Sequence, residues 1–178
     1  GLGFYRRAKN IFKTKEIIKH NYKNIFPKKY EELMALPGIG KSTAGAIMSL
    51  AYQESYPILD ANVKRVIARF KNIERDEKKL WKLSEKLTPN NNIFAYTQGI
   101  MDLGATTCSV REPECQSCPI VKICNSAFHT SVQNPKKNKE KSVKKINFTL
   151  AHSKKSFLLF KKEEKTFWES LWVPFDNK

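Results

Sequence analysis

Apolar residues recur every three or four positions along most of the first 128 residues. This period places side chains on one face of an α-helix, so it predicts amphipathic helices rather than strands. Proline, glycine and asparagine separate the periodic segments and indicate turns between them. The periodic segments are residues 4–20, 42–52, 63–70, 78–87 and 94–105. We therefore predict that residues 1–128 form a mainly α-helical domain.

The pattern changes towards the end of the chain. Residues 157–160 and 171–173 are short apolar runs that predict strands. Two or three strands do not form a stable sheet domain by themselves. These runs therefore predict that residues 146–178 begin a second, incomplete domain. Residues 129–145 are rich in lysine and predict a solvated linker, with the boundary near residue 135. Because the first residue is Gly1, we also expect the chain to be a piece of a longer protein.

The chain is strongly basic. It carries 33 lysines and arginines against 17 aspartates and glutamates, a formal net charge of +16 over 178 residues. This excess is typical of proteins that bind polyanions, and it favours nucleic acid as the partner. A membrane surface is an alternative, but no apolar run approaches the roughly 20 residues of a spanning helix. A lysine-rich proteome would also produce such a charge.

All four cysteines lie in one short window with the spacing C-x6-C-x2-C-x5-C: Cys108, Cys115, Cys118 and Cys124. Thiolates this close in sequence predict one metal site. A disulfide pair is an alternative, although nothing in the sequence resembles a secretory signal. Zinc is the stronger alternative, but structural zinc sites usually have two short cysteine pairs and this chain has one. The spacing therefore favours an iron-sulfur cluster over zinc.

Residues 36–44, LPGIGKSTA, predict a tight hairpin between two helices. Glycines let backbone N–H groups approach a ligand closely, so Gly38 and Gly40 are candidate DNA-binding residues. The positive end of the following helix and the ammonium of Lys41 would both favour a phosphate. An ordinary corner between helices is the alternative. The sequence disfavours a dinucleotide-binding loop, because residues 30–36 predict a short helix where that motif needs a strand.

Asp60 stands where an extended segment, residues 56–59, turns into a helix. A common role for aspartate at this position is to cap the helix. A second role is to place its negative charge near a sugar, where it would stabilise an oxocarbenium-like transition state. The two roles are compatible.

The motifs in this order resemble the adenine DNA glycosylases, the MutY type, of the helix-hairpin-helix and endonuclease III superfamily. The resemblance covers residues 1–128 and rests on GLGFY, LPGIGKSTAGAI, PILDANVKRV, NIFAYTQGIMDLGATTC and the cysteine loop. It implies a helical glycosylase domain with a 4Fe-4S cluster at residues 108–124. It also implies a monomeric base-excision repair enzyme that acts on double-stranded DNA with A:8-oxoguanine or A:G mispairs. We expect such an enzyme in the bacterial cytoplasm, at the nucleoid.

The resemblance assigns roles to individual residues. Asp60 matches the catalytic aspartate, and Asn62 matches an asparagine that positions the sugar and the attacking water. Gln98 matches a residue that contacts the flipped adenine, and a glutamine amide can pair with adenine N6 and N7. Lys64 and Arg65 match a basic segment near DNA.

Ser42 distinguishes this chain from the related endonuclease III enzymes. Those enzymes carry a lysine at the corresponding position and use its amine to attack the sugar. A hydroxyl cannot form a Schiff base, so the resemblance implies a monofunctional glycosylase with Ser42 in its catalytic site. Lys41 is one residue early, a rotation of about 100° around the helix.

The chain also departs from the family pattern. The glutamate that serves as general acid lies before the GLGFY motif in the family and has no counterpart in these residues, so we expect the chain alone to be inactive. Ala61 replaces a glycine after the aspartate. The last strands resemble the start of a Nudix-like domain that recognises 8-oxoguanine. A non-enzymatic DNA-binding module with an iron-sulfur or zinc site is the alternative function.

Overall fold

A computed structural model of the chain describes residues 5–74, 76–129, 145–163, 168–169 and 171–177. The chain divides into two compact units, residues 1–134 and 135–178. The glycines of the GLGFY motif and most of the predicted linker lie outside the described residues. None of the described helices is long and apolar enough to cross a membrane.

The described part of the first unit is α-helical, as the apolar periodicity predicted. Its helices are α1 (Tyr5–Asn21), α2 (Tyr30–Met34), α3 (Lys41–Ala51), α4 (Ala61–Lys71), α5 (Glu77–Leu87) and α6 (Ile93–Ala105). Each predicted segment agrees with its helix to within two residues at either end. Two short 3-10 turns, Cys115–Ser117 and Val121–Ile123, follow in the cysteine loop.

Two groups of buried side chains stabilise this unit. The first lies between α4, α5 and the extended segment before α4, and consists of Ile58, Leu59, Val63, Ile67, Ala68 and Leu80. The second consists of Leu33, Leu36, Ala44 and Met48, and Ile17 and Ile18 of α1 pack against it. Burying one large aliphatic side chain contributes about 1.5–3 kcal/mol, so these clusters are the main support of the fold. Helix α6 packs against both α3 and α4.

The described part of the second unit consists of short antiparallel strands. They are β1 (Asn147–Thr149), β2 (Phe160–Lys161), β3 (Trp172–Val173) and β4 (Phe175–Asn177). Strand β1 pairs with β4, and β2 pairs with β3. The predicted strand at 171–173 contains β3, whereas the strand predicted at 157–160 shares only Phe160 with β2. The difference arises because Phe157 instead forms an isolated bridge with His152.

Candidate active site and cysteine loop

The predicted hairpin is present between α2 and α3. Gly38 has a φ of +84°, a left-handed conformation that favours glycine. The backbone N–H of Ile39 donates to the Leu36 carbonyl at 3.1 Å, and the Thr14 hydroxyl of α1 donates to the Pro37 carbonyl at 3.1 Å. Gly40 precedes α3, and no side chain caps the helix. The first backbone N–H groups of α3 therefore have no side-chain acceptor, which suits an anion at this position.

Asp60 begins α4 and caps it. Its carboxylate oxygen Oδ1 accepts a hydrogen bond from the Val63 N–H at 2.8 Å. The carboxylate is partly exposed to solvent. The capping role is therefore present in the structure, and it fixes the carboxylate at the positive end of α4.

Three serines hold the extended segment that leads to Asp60. Ser42 Oγ accepts a hydrogen bond from the Leu59 N–H at 2.9 Å, and Ser49 Oγ donates to the Tyr56 carbonyl at 3.0 Å. From the other side, Ser84 Oγ of α5 donates to the Ile58 carbonyl at 2.7 Å. Helix α3 can approach this segment closely because Gly45 has no Cβ. A Cβ at that position would lie 2.3 Å from the Pro57 carbonyl oxygen. The hairpin and Asp60 are thus connected through α3.

Arg65, which is buried, forms a hydrogen-bonding group with the partly buried Asn62. Asn62 Oδ1 accepts a hydrogen bond from Arg65 Nη2 at 2.9 Å. Arg65 Nε donates to the Cys108 carbonyl at 2.7 Å, and Nη2 also donates to the Gly104 carbonyl. Arg65 is only 6% exposed, so the prediction that it contacts DNA does not fit its position. Its guanidinium instead connects α4 to the end of α6 and the first cysteine.

The two predicted DNA-binding lysines both contact α5. Lys41 Nζ lies 3.3 Å from Glu85 Oε1 and 4.0 Å from the centre of the Trp81 ring. Lys64 Nζ lies 2.8 Å from Glu77 Oε1. The hydrogen bond and the charge of Lys64 lower the pKa of the Glu77 carboxyl. Both lysines are partly exposed, and each has a carboxylate beside its ammonium.

Gln98 lies on the exposed side of α6. Its Nε2 donates a hydrogen bond to Asp102 Oδ1, one helical turn further on, at 2.9 Å. The contact with adenine that the sequence predicts for Gln98 therefore stays a prediction.

The four cysteines line one cavity between α4, the end of α6 and the cysteine loop. None of them forms a disulfide. Burial raises the pKa of the Cys124 thiol, and its proximity to Cys108, Cys118 and Cys115 raises it further. Within the described residues, no three cysteine, histidine, aspartate or glutamate side chains converge as a single metal ion would require.

Arg69 holds the cysteine loop against α4, a role that the sequence analysis missed. Its Nη1 donates to the Ser109 carbonyl at 2.5 Å and lies 3.4 Å from Cys108 Sγ, and its Nη2 donates to the Val110 carbonyl at 3.0 Å. Arg69 follows Arg65 by four residues, so both project from one side of α4. That spacing is the one sequence signal that could have indicated a shared role.

Comparison with known proteins agrees with this geometry. The helix-hairpin-helix motif model matches residues 21–50. The adenine DNA glycosylase of Buchnera aphidicola subsp. Acyrthosiphon pisum (strain APS) is 42% identical over 189 residues, which cover 100% of this chain and 54% of the relative. The chain belongs to the adenine DNA glycosylases of the helix-hairpin-helix, endonuclease III superfamily. It spans about half the length of the curated relatives that match its whole length.

Solved structures show the same superfamily fold. A thermostable thymine-DNA glycosylase matches with a TM-score of 0.60 and 32% identity, over 67% of this chain and 57% of that structure. A trapped covalent intermediate of endonuclease III with DNA matches with a TM-score of 0.60 and 27% identity, over 68% of this chain and 58% of that structure. The sequence relatives therefore indicate the adenine DNA glycosylase family, and the solved structures show the fold of its superfamily.

Proposed function

We propose that this chain is part of a base-excision repair glycosylase that removes adenine mispaired with 8-oxoguanine or guanine. The observation that carries the proposal is the position of Asp60. Its carboxylate is fixed at the N-terminus of α4, and the segment before it is hydrogen-bonded to the hairpin helix through Ser42. In this arrangement, the Asp60 carboxylate would hold a negative charge in a fixed position beside DNA that is bound by the hairpin.

The chemistry follows from that charge. The target adenine would be flipped out of the duplex, which costs a few kcal/mol and less at a mispair. Cleavage of the N-glycosidic bond leaves positive charge on the sugar, and the Asp60 carboxylate would stabilise it. Asn62 would orient the sugar and the attacking water from the first turn of α4, where its Oδ1 is fixed by Arg65. Water then completes the hydrolysis.

The positions of Ser42 and Lys41 support a monofunctional enzyme. A glycosylase that also cleaves the strand needs a free amine to form a Schiff base with the sugar. Ser42 has no amine, and its oxygen accepts the Leu59 N–H. The ammonium of Lys41 is directed to Glu85 and Trp81 on α5. Neither residue supplies the nucleophile for strand cleavage.

The donor set of the cysteine loop fits a 4Fe-4S cluster held by Cys108, Cys115, Cys118 and Cys124. Soft thiolates favour iron-sulfur clusters and zinc among the common metals, and the four thiols line one cavity. A bound cluster would cross-link residues 108–124 into one rigid loop. Arg69 would fix the orientation of that loop from α4.

For the second unit we propose a Nudix-like domain that recognises 8-oxoguanine in the opposite strand. Its short antiparallel strands support this proposal. We further propose that the enzyme is a monomer in the bacterial cytoplasm and acts at the nucleoid.

A single-turnover excision assay tests the proposed function. Protein expressed from the complete gene should release free adenine from a duplex with one A:8-oxoguanine pair. If adenine is released no faster than from the same duplex without protein, the alternative function is favoured, a DNA-binding module without enzymatic activity.

A further inference from the structure

One face of α5 carries a stripe of charged and aromatic side chains. Glu77, Trp81 and Glu85 follow each other at intervals of four residues, so they lie along the same side of the helix. The stripe contacts two lysines from two other helices, Lys64 of α4 at Glu77 and Lys41 of α3 at Glu85 and Trp81.

These two lysines occupy the elements that face DNA in the proposed function. Lys41 is the first residue of α3, directly after the hairpin, and Lys64 lies one helical turn after Asp60. A phosphate would bind the same ammonium groups that Glu77 and Glu85 contact now. The carboxylates are 66% and 51% exposed, and ion pairs this exposed are weak enough for a phosphate to displace them.

We propose that Glu77 and Glu85 are built-in counter-charges that limit binding to undamaged duplex DNA. They occupy Lys64 and Lys41 in the free protein, so DNA must displace a carboxylate before it gains either lysine contact. Non-specific binding consists almost entirely of such phosphate contacts, so it is the kind of binding that the pairs weaken most. This inference rests on the proposed function, because it takes duplex DNA as the partner.

The test measures the affinity of the 178-residue chain for an undamaged duplex between 50 and 200 mM salt. Glu85→Gln and Glu77→Gln should each tighten binding at low salt and steepen its salt dependence. Each substitution adds at most one phosphate contact, so the log–log slope should rise by up to about 0.9, which is up to about a 3.5-fold larger loss of affinity over this salt range. Glu54→Gln is the matched control, because it changes the net charge equally and Glu54 forms no ion pair with the described residues.

A double-mutant cycle with Lys41→Ala identifies how Glu85 acts. If Glu85 acts through Lys41, then Glu85→Gln in the Lys41→Ala background should tighten binding no more than Glu54→Gln does. The proposal is overturned if Glu85→Gln and Glu77→Gln match Glu54→Gln in the otherwise unchanged chain, or if the Glu85→Gln gain persists without Lys41. If the unchanged chain binds duplex DNA but either of these outcomes is found, this inference is refuted and the proposed function is not. Absence of duplex binding by every variant would refute the DNA-binding part of the proposed function as well.

Discussion

The oxygen of the Ser42 hydroxyl accepts a hydrogen bond from the backbone N–H of Leu59 at 2.9 Å, one residue before Asp60. Ser42 stands in the first turn of α3, immediately after the hairpin. One hydrogen bond and one peptide unit therefore connect the start of α3 to Asp60. In the proposed function, this contact aligns the DNA-binding hairpin with the carboxylate that stabilises the sugar cation.

Ser42→Ala should reduce the free energy of unfolding by about 1–3 kcal/mol, because the partly buried Leu59 N–H loses its acceptor. Urea denaturation measures this change. Ser55→Ala is the control, since the exposed Ser55 hydroxyl donates to the Pro89 carbonyl, which water can satisfy instead. An equal effect of the two substitutions would show that the Ser42 contact contributes nothing specific.

Asp60→Asn should lower the single-turnover excision rate at least about a hundredfold, the scale expected when one preorganised charge is removed. Asparagine still caps a helix, so the fold and DNA binding should survive this substitution. Asp60→Ala should lose the cap as well, at a cost of about 1 kcal/mol in unfolding free energy. An unchanged rate in Asp60→Asn would leave Asp60 as a helix cap only.

Protein purified without oxygen should be brown and should contain about four irons per chain, held by the four cysteines. Iron and zinc analysis of the unchanged protein and of Cys118→Ser provides the measurement, and the variant should lose iron. One zinc per chain without iron would replace the cluster with a structural zinc site.

Lys41→Ala and Lys64→Ala should each flatten the salt dependence of duplex binding by about one unit of log–log slope or less, since each removes at most one phosphate contact.

Arg65→Ala should behave differently from the two lysine substitutions. Because the Arg65 guanidinium is buried and bonded to Asn62, Gly104 and Cys108, its loss should cost at least about 2 kcal/mol of unfolding free energy. A stable Arg65→Ala protein with a flattened salt slope would contradict this assignment and restore Arg65 as a DNA contact.

Protein expressed from the complete gene should leave an abasic strand intact, because Ser42 offers no amine to open the sugar. Borohydride should trap no covalent adduct. The 178-residue chain alone should bind duplex DNA without excision, because we expect none of its residues to serve as the general acid for adenine. A stable adduct in high yield would show that the enzyme also acts through an amine.

The helices could be predicted from the sequence because their periodicity is local. Helix α4 illustrates the limit, since its pattern indicates an amphipathic helix but cannot tell which arginine is buried. The acceptors of Arg65 are carbonyl groups about 40 residues away, so its burial depends on how α6 packs. The role of Arg69 could not be predicted for the same reason, because its acceptor Ser109 lies 40 residues further along the chain. The pairing of β1 with β4 also joins segments far apart in the chain, which strand propensity does not encode.

Helix α4 is fixed at both ends. Asp60 caps its start, and Arg69 in its last turn binds the cysteine loop. The two lie nine positions apart, a distance of about 14 Å along a helix that rises 1.5 Å per residue. Inserting or deleting one residue between them would rotate one end against the other by about 100°. Either Leu59 and Asp60 would turn away from Ser42, or Arg69 would turn away from Cys108. The length of α4 is therefore under a stricter constraint than its composition, and exposed positions on this helix can vary freely only while their number stays the same.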